Sequence, residues 1–348
     1  MNIEQERPHL AMIGGGGGAS NLAESVSHQR EFLRENDILR VYLDIIVTMS
    51  DNGGYSGRVL EEMPGVLPPG DAGKVMRALG RNRELADDLG VRAMTWDAES
   101  PLSGSTAGHQ LLANLTQKHG MIEALERLKK YLDVDEGHSV LPVTTDPTGL
   151  IYTYPSGRRR IGEKNISYHT WFRESEPKLS LEPVPRAYEP ALQAIEEADE
   201  LIIAPGQILT SIGAALLVPG VKETINRREG PVIYVPNVTI LDRFIKVNTV
   251  SEQMIALRAL TGVIRFDHVL ALDDEKAIAE GYERKPGDIN SHLTPLDREK
   301  VLELAGSLVA KNYLELVEVP DEGTGIPRFG HRHNADMLAA DILTIHDG

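Results

Sequence analysis

Five consecutive glycines, Gly14 to Gly18, followed by Ala19 and Ser20, are the first residues whose spacing suggests chemistry. They follow the short apolar stretch His9 to Ile13. They precede a segment in which Leu22, Val26 and Leu33 lie near one face at helical spacing. A glycine loop between a strand and a helix lets the backbone approach a phosphate and offers it free N–H groups and the positive end of a helix dipole. Gly14, Gly15, Gly16 and Gly17 are therefore candidate phosphate ligands. The run fits the G-x-G-x-x-A dinucleotide pattern, although five glycines match many patterns and also make a plain flexible turn. NAD is not specifically indicated. The acidic residue expected about 20 residues further on is poorly placed, because Glu31 and Glu35 fall within the predicted helix. No GxxxxGK[ST] loop is present, which excludes an ordinary P-loop NTPase.

Further loops carry polar side chains. Asp51-Asn52-Gly53-Gly54-Tyr55-Ser56-Gly57-Arg58 follows an apolar run containing Ile45, Ile46 and Val47. Asp51 can hold a magnesium ion or a ribose hydroxyl there, and Arg58 can pair with a phosphate; a polar turn closed by a salt bridge is the plainer alternative. In Leu67-Pro68-Pro69-Gly70-Asp71, Asp71 can cap a helix carrying Val75, Met76 and Leu79. His109, after Gly108, stands at a loop–helix junction where it can serve catalysis. In Ala204 to Gly213, Gly206, Thr210 and Ser211 offer hydroxyls and backbone N–H groups close to a helix start. His331, His333 and His346 lack the i, i+4 spacing of a zinc pair, and no third ligand is evident.

The elements that must position these loops alternate. Strands are expected at His9–Ile13, Val41–Met49, Leu201–Ala204, Val232–Val235, His268–Leu272 and Leu314–Val319. Helices are expected over residues 109–132, Ala191–Glu200, Met254–Leu260, Leu296–Val309 and Asn334–Ile345, with Ile208–Val218 passing from loop to helix. Val140 to Trp171 reads as hairpins forming a small β-rich excursion, with the basic run Arg158-Arg159-Arg160. Gly281 to Pro295 reads as a polar surface loop. Strand–helix alternation predicts one α/β domain over 1–348, with a Rossmann-like, doubly wound, mainly parallel sheet in a three-layer arrangement and the excursion at 140–171. Ligands of such sheets sit beyond the carboxyl ends of the strands, so the loops at Gly16, Asp51 and Gly206 should share one cleft.

The 348 residues are ample for a large core, and no cysteine is present, which excludes a disulfide scaffold, thiolate metal sites and a cysteine nucleophile. Thirty-six Lys and Arg against 52 Asp and Glu give −16, a balance unsuited to holding nucleic acid by general phosphate neutralisation. No apolar run approaches the ~20 residues that cross a bilayer. Met1 to Pro8 lack the apolar core of a signal peptide, so a cytoplasmic location without membrane attachment is expected.

The ordered set of motifs resembles the superfamily of 2-phospho-L-lactate transferase and the gluconeogenesis factor. It comprises GGGGGAS at Gly14–Ser20, VTMSDNGGYSGR at Val47–Arg58, LPPGD at Leu67–Asp71, and Gly108-His109. It continues with VLPVTTDPTG at Val140–Gly149, GEKNI at Gly162–Ile166, Ala194–Val221 and YVPNV at Tyr234–Val238. DNGGYSGR with PPGD is closer to the gluconeogenesis-factor branch. That branch implies binding of a uridine nucleotide sugar, an influence on carbon metabolism or cell-wall synthesis, and a homodimer. The transferase branch implies transfer of a phospholactyl group with magnesium, for which Asp51 is the candidate ligand and Asp51 and His109 the candidate catalytic residues. The resemblance also nominates Asn52, Asp71 and Asn114 as ligand contacts. Several family positions differ: Gly17 stands where Thr is usual, Asn52 for the second Asp, Tyr55 for Ser, Ala72-Gly73 after PPGD, and Gln207 and Leu209 in the third loop. GHQLLAN replaces GHSLGN, leaving the Asn at 114 or losing it to Ala113.

Overall fold

The computed structural model describes residues 8–32, 41–92, 104–163, 165, 178–240, 248–283, 292–319 and 328–346. The expectations for residues 1–7, Leu33, Glu35, Lys164, Ile166, Trp171 and 284–291 lie outside them.

In chain order, β1 (His9–Ile13), α1 (Gly16–Phe32) and β2 (Tyr42–Val47) come first. Then come α2 (Gly54–Glu62), α3 (Gly70–Leu79), α4 (Arg83–Asp88), α5 (Ala107–His119), α6 (Met121–Tyr131) and β3 (His138–Pro142). β4 (Gly149–Thr153), β5 (Arg159–Ile161) and β6 (Lys178–Glu182) follow. After them are α7 (Glu189–Glu197), β7 (Glu200–Ile203), a π-type turn at Ile208–Ile212 running into α8 (Gly213–Leu216), α9 (Val221–Arg227) and β8 (Val232–Tyr234). The chain continues through α10 (Val250–Thr261), β9 (His268–Leu272), α11 (Asp274–Ala279), α12 (Arg298–Leu304), β10 (Ser307–Lys311), β11 (Leu314–Val319), β12 (Arg328–His333) and α13 (Ala335–His346).

Seven strands form one sheet in the order β10-β9-β8-β7-β1-β2-β3, with every pairing parallel. Period-two alternation along β1 shows why it is buried on both faces. Leu10 and Met12 enter a core shared with α1, α3, α5, α6 and α13, while Ala11 and Ile13 enter a second core shared with α7, α8, α9 and α10. The expected three-layer α/β arrangement is thus present. No single helix among the described residues is long and apolar enough to cross a membrane.

Three local expectations change. The segment 109–132 is two helices separated by Gly120. Leu296–Val309 is a short helix followed by the edge strand β10, because the chain turns at Ala305–Gly306 and Ser307 N–H bonds to Asp267 O, aligning the next residues with β9. Val140 belongs to β3 of the central sheet; the excursion is the antiparallel sheet β5-β4-β6, spanning Gly149 to Glu182. β11 and β12 pair antiparallel with one another, apart from the large sheet.

Candidate functional site

The carboxyl ends of β1, β2 and β7 lie side by side, since β1 pairs with both others. Their loops converge on a cavity of about 750 Å³. Its walls include Gly15 to Gly18, Asp51, Gly53, Tyr55 and Ser56, Gly70, Asp71 and Lys74, His109, and Gly206, Gln207, Thr210 and Ser211. The size suits a small-molecule ligand, for which pockets run about 300–1,000 Å³.

The first glycines are shaped by an internal anion. Asp71, in the first turn of α3, lies against the loop, and its carboxylate accepts the Gly16 backbone N–H. A Cβ at Gly15 would fall 2.1 Å from Asp71 Oδ2, so only glycine admits this packing. Asp71 therefore faces the N-terminal end of α1 directly, where helix N–H groups favour a negative charge. Burial nevertheless raises its carboxyl to about 6, with Lys74 opposing the rise and Asp51 adding to it. Asp71 does not cap α3; the N-cap is Pro69. Gly14 serves packing: a Cβ there would meet Ala19 and Ala204 at 2.9 Å.

The second loop aims Asp51 inward. Gly53 N–H donates to Asp51 Oδ1 at 2.7 Å, which fixes the carboxylate in a tight Asx-type turn. Glu163, delivered by the small sheet just after β5, hydrogen-bonds Asp51. Thr210 Oγ1 lies 3.3 Å from Glu163 Oε1 and donates at 2.5 Å to Gln207 Oε1. Burial first, and then the bond to Asp51, holds the Glu163 carboxyl well above the usual carboxylate range. The pair thus retains a proton, because two adjacent carboxylates resist simultaneous ionisation.

His109 occupies the third position of α5. Thr106 N–H donates to its Nδ1 at 3.2 Å and its own N–H donates to Thr106 Oγ1 at 3.1 Å, a reciprocal cap. The Tyr55 ring stacks on the imidazole with centroids 5.5 Å apart. Burial, followed by the positive charges of Lys74 and Arg77, lowers the imidazole to about 4.

The expected residues therefore separate. Gly15, Gly16, Gly17, Asp51, Asp71, His109, Gly206, Thr210 and Ser211 line one cavity. Asn52 lines a separate recess of about 370 Å³ with Gly57, Leu60, Glu61 and Asn165. Arg58, on α2, is not among the described residues lining the main cavity. Asn114 donates to Gln110 O at 2.8 Å, an intrahelical bond on α5 outside that wall. Glu163 and the cations Lys74 and Arg92 were not singled out by sequence reasoning. GEKNI, which contains Glu163, was the available signal, but nothing local in it says that the excursion folds back over the sheet edge. The walls also include Asn237, whose amide donates to Gly206 O at 2.8 Å, and His331 and His333 of β12. His333 Nε2 lies 2.9 Å from Pro236 O, and burial lowers its imidazole to about 4.

The oxygen donors Asp51, Asp71 and Glu163 are of the kind magnesium takes. Asp51 and Glu163 are joined by a hydrogen bond, so a cation held at Asp51 would displace their shared proton. Among the described residues no three acidic or histidine side chains are grouped as a metal centre.

Comparisons with known proteins identify the family and the fold. The family described as 2-phospho-L-lactate transferase CofD matches residues 10–314. A putative gluconeogenesis factor of Nostoc sp. is 31% identical over 98% of this chain and 69% of its own length. One from Thermotoga maritima is 30% identical over 96% of this chain and 98% of its own. The crystal structure of a UPF0052-family protein from Bacillus halodurans superposes with a TM-score of 0.76 at 25% identity, covering 97% of this chain and 99% of that one. The match runs through all three loops that meet at the sheet edge, and the chain belongs to the CofD family, among relatives named gluconeogenesis factors.

Proposed function

We propose that this protein binds a nucleotide sugar of the uridine diphosphate type in the sheet-edge cavity and acts as a regulator of carbon metabolism or cell-wall synthesis. The observation that carries the reading is the convergence of three glycine-containing loops and Lys74 on one cavity of about 750 Å³. Backbone N–H groups and a lysine suit the diphosphate. Asp51 and the Thr210–Gln207 pair suit sugar or ribose hydroxyls, being acceptors with fixed orientation. Relatives named for gluconeogenesis support a role in carbon metabolism. Titration calorimetry with a panel of uridine and guanosine nucleotides tests it. Millimolar concentrations of every member without heat of binding would sink it.

The second reading is a transferase that displaces a nucleoside monophosphate from a phosphoryl donor. Asp51 on the cavity wall favours it, because a carboxylate there suits a divalent cation that would supply charge neutralisation to the phosphoryl group. Asp51 would hold that ion, Glu163 holds a proton, and Lys74 orients the phosphate. Turnover of a guanylyl-phospholactate donor, abolished by chelator, would establish this reading over the first.

A further inference from the structure

The cap at the start of α5 leaves a buried, unpartnered donor on a side chain that lines the cavity. Thr106 N–H donates to His109 Nδ1, so that nitrogen carries a lone pair and the proton of the neutral ring resides on Nε2. His109 Nε2 is buried and has no hydrogen-bond partner. An unsatisfied buried donor is costly, and native structures seldom leave one without a reason. His109 and Tyr55, whose ring covers the imidazole face, both line the main cavity, as does Lys74. The charged groups around the ring are Lys74 and Arg77 of α3, Arg92, and the opposing Asp51 from the loop after β2. Their balance is positive, so the corner favours an anionic acceptor and disfavours a second proton on the ring.

We infer that His109 is a ligand-recognition residue of fixed tautomer, donating its Nε2–H to a phosphoryl oxygen of the ligand seated beside Lys74. This rests on the nucleotide reading of the cavity and removes His109 from acid–base duty. A ring kept neutral with its Nδ1 engaged by backbone has one proton to offer and no site from which to receive another. The cap and the recognition role are separable by substitution, because Glu and Gln are both good capping-box residues at this helix position. Gln keeps a donor for the ligand; Glu presents only acceptors and a negative charge.

The test uses the full chain, with UDP and inorganic pyrophosphate as probes. His109→Gln and His109→Glu should melt within a few degrees of the wild type. His109→Gln should weaken UDP binding no more than about threefold, and His109→Glu by tenfold or more, the scale of a hydrogen bond to a charged group. Nitrogen-15 NMR of the histidines should show the Nε2–H tautomer of His109 down to pH 5.5, with the Nε2–H proton moving on addition of UDP. An Nδ1–H tautomer, an Nε2–H signal indifferent to UDP, or equal binding by His109→Glu and the wild type would overturn the inference while leaving the nucleotide reading intact. Failure of the wild type to bind either probe would overturn both.

Discussion

The five glycines at the head of α1 are chemically identical, yet they should respond very differently to a single added methyl. At Gly17 a Cβ meets nothing within 4 Å. Gly17 lies in the first turn of α1, where alanine loses less conformational entropy on folding than glycine. Gly17→Ala should therefore stabilise by about 0.4–1 kcal/mol. Gly16 has φ of +69°, so Gly16→Ala carries left-handed strain of about 1–2 kcal/mol. At Gly18 the new Cβ would sit 2.7 Å from the Pro205 carbonyl oxygen, a backbone atom that cannot swing aside. At Gly15 it would sit 2.1 Å from Asp71 Oδ2. Overpacking of this kind costs about 1–3 kcal/mol, and at Gly15 it also dislodges the carboxylate from the Gly16 N–H. The expected order of stability is Gly17→Ala at or above wild type, then Gly16→Ala, then Gly15→Ala and Gly18→Ala. Urea titration with a common m-value reads it directly. Gly17→Ala should at the same time weaken nucleotide binding, since its methyl would enter the cavity wall. If Gly17→Ala proved as destabilising as Gly18→Ala, the placement of the loop against Pro205 would be wrong.

Lys74→Ala should weaken UDP binding by about 1 kcal/mol, roughly fivefold, as one exposed charged contact is lost. Arg58→Ala should leave calorimetric affinity unchanged, and the reverse pattern would return the phosphate to α2. Asp71 titrates near 6 in the folded protein against 3.8 in the free side chain. Folding therefore binds a proton between these values, and stability falls as pH rises from about 4 to 6. Affinity for an anion should rise as pH drops through 6 and Asp71 loses its charge; Asp71→Asn should flatten both profiles. On the opposite end of the sheet, His9 Nε2 lies 2.8 Å from Asp44 Oδ2, and that hydrogen bond raises the imidazole despite opposing desolvation. Its stabilisation is complete below the ordinary histidine value of 6.5 and is lost as pH rises through the higher folded one. A melting profile over pH 6–8 should show that slope, and Asp44→Asn should remove it.

The parts of the fold legible in the sequence were those in which periodicity and punctuation agree. His9–Ile13 is β1 residue for residue, and the glycine run starts α1. Ile45, Ile46 and Val47, apolar without alternation, announced a strand covered on both faces. Leu296–Val309 misled because its leucines and valines suit a helix and a buried strand alike. The choice falls to β9, which offers an open edge that local propensity cannot see. The same holds for Val140, claimed by β2. In the site, loops that end strands were legible because sheet topology sends them to one edge. Lys74 and Glu163 were not. One lies in the second turn of a helix whose orientation is set by packing, and the other arrives on a separate small sheet. Arg58 reads as a cation on an edge loop, but it stands on α2, where Tyr55 and Ser56 line the cavity and Arg58 does not.

Strand order also sets a timetable for synthesis. β1 is central, yet its partner β7 is encoded far downstream; 190 residues separate His9 from Asp199. At roughly 5–20 residues per second, β1 waits about 10–40 s with one edge and part of one face uncovered. During that interval β1, β2 and β3 can pair and be covered on one side by α1, α3 and α6, while Ala11, Ile13 and Ile46 stay open on the other. The cavity wall is complete only when Leu338 has left the ribosome. A nascent chain would therefore carry an unpaired, apolar strand edge until β7 emerges, and gain ligand competence only after β12 and the start of α13 have followed. Slow codons or chaperone capture between residues 140 and 200 would matter far more to yield than the same events after residue 240.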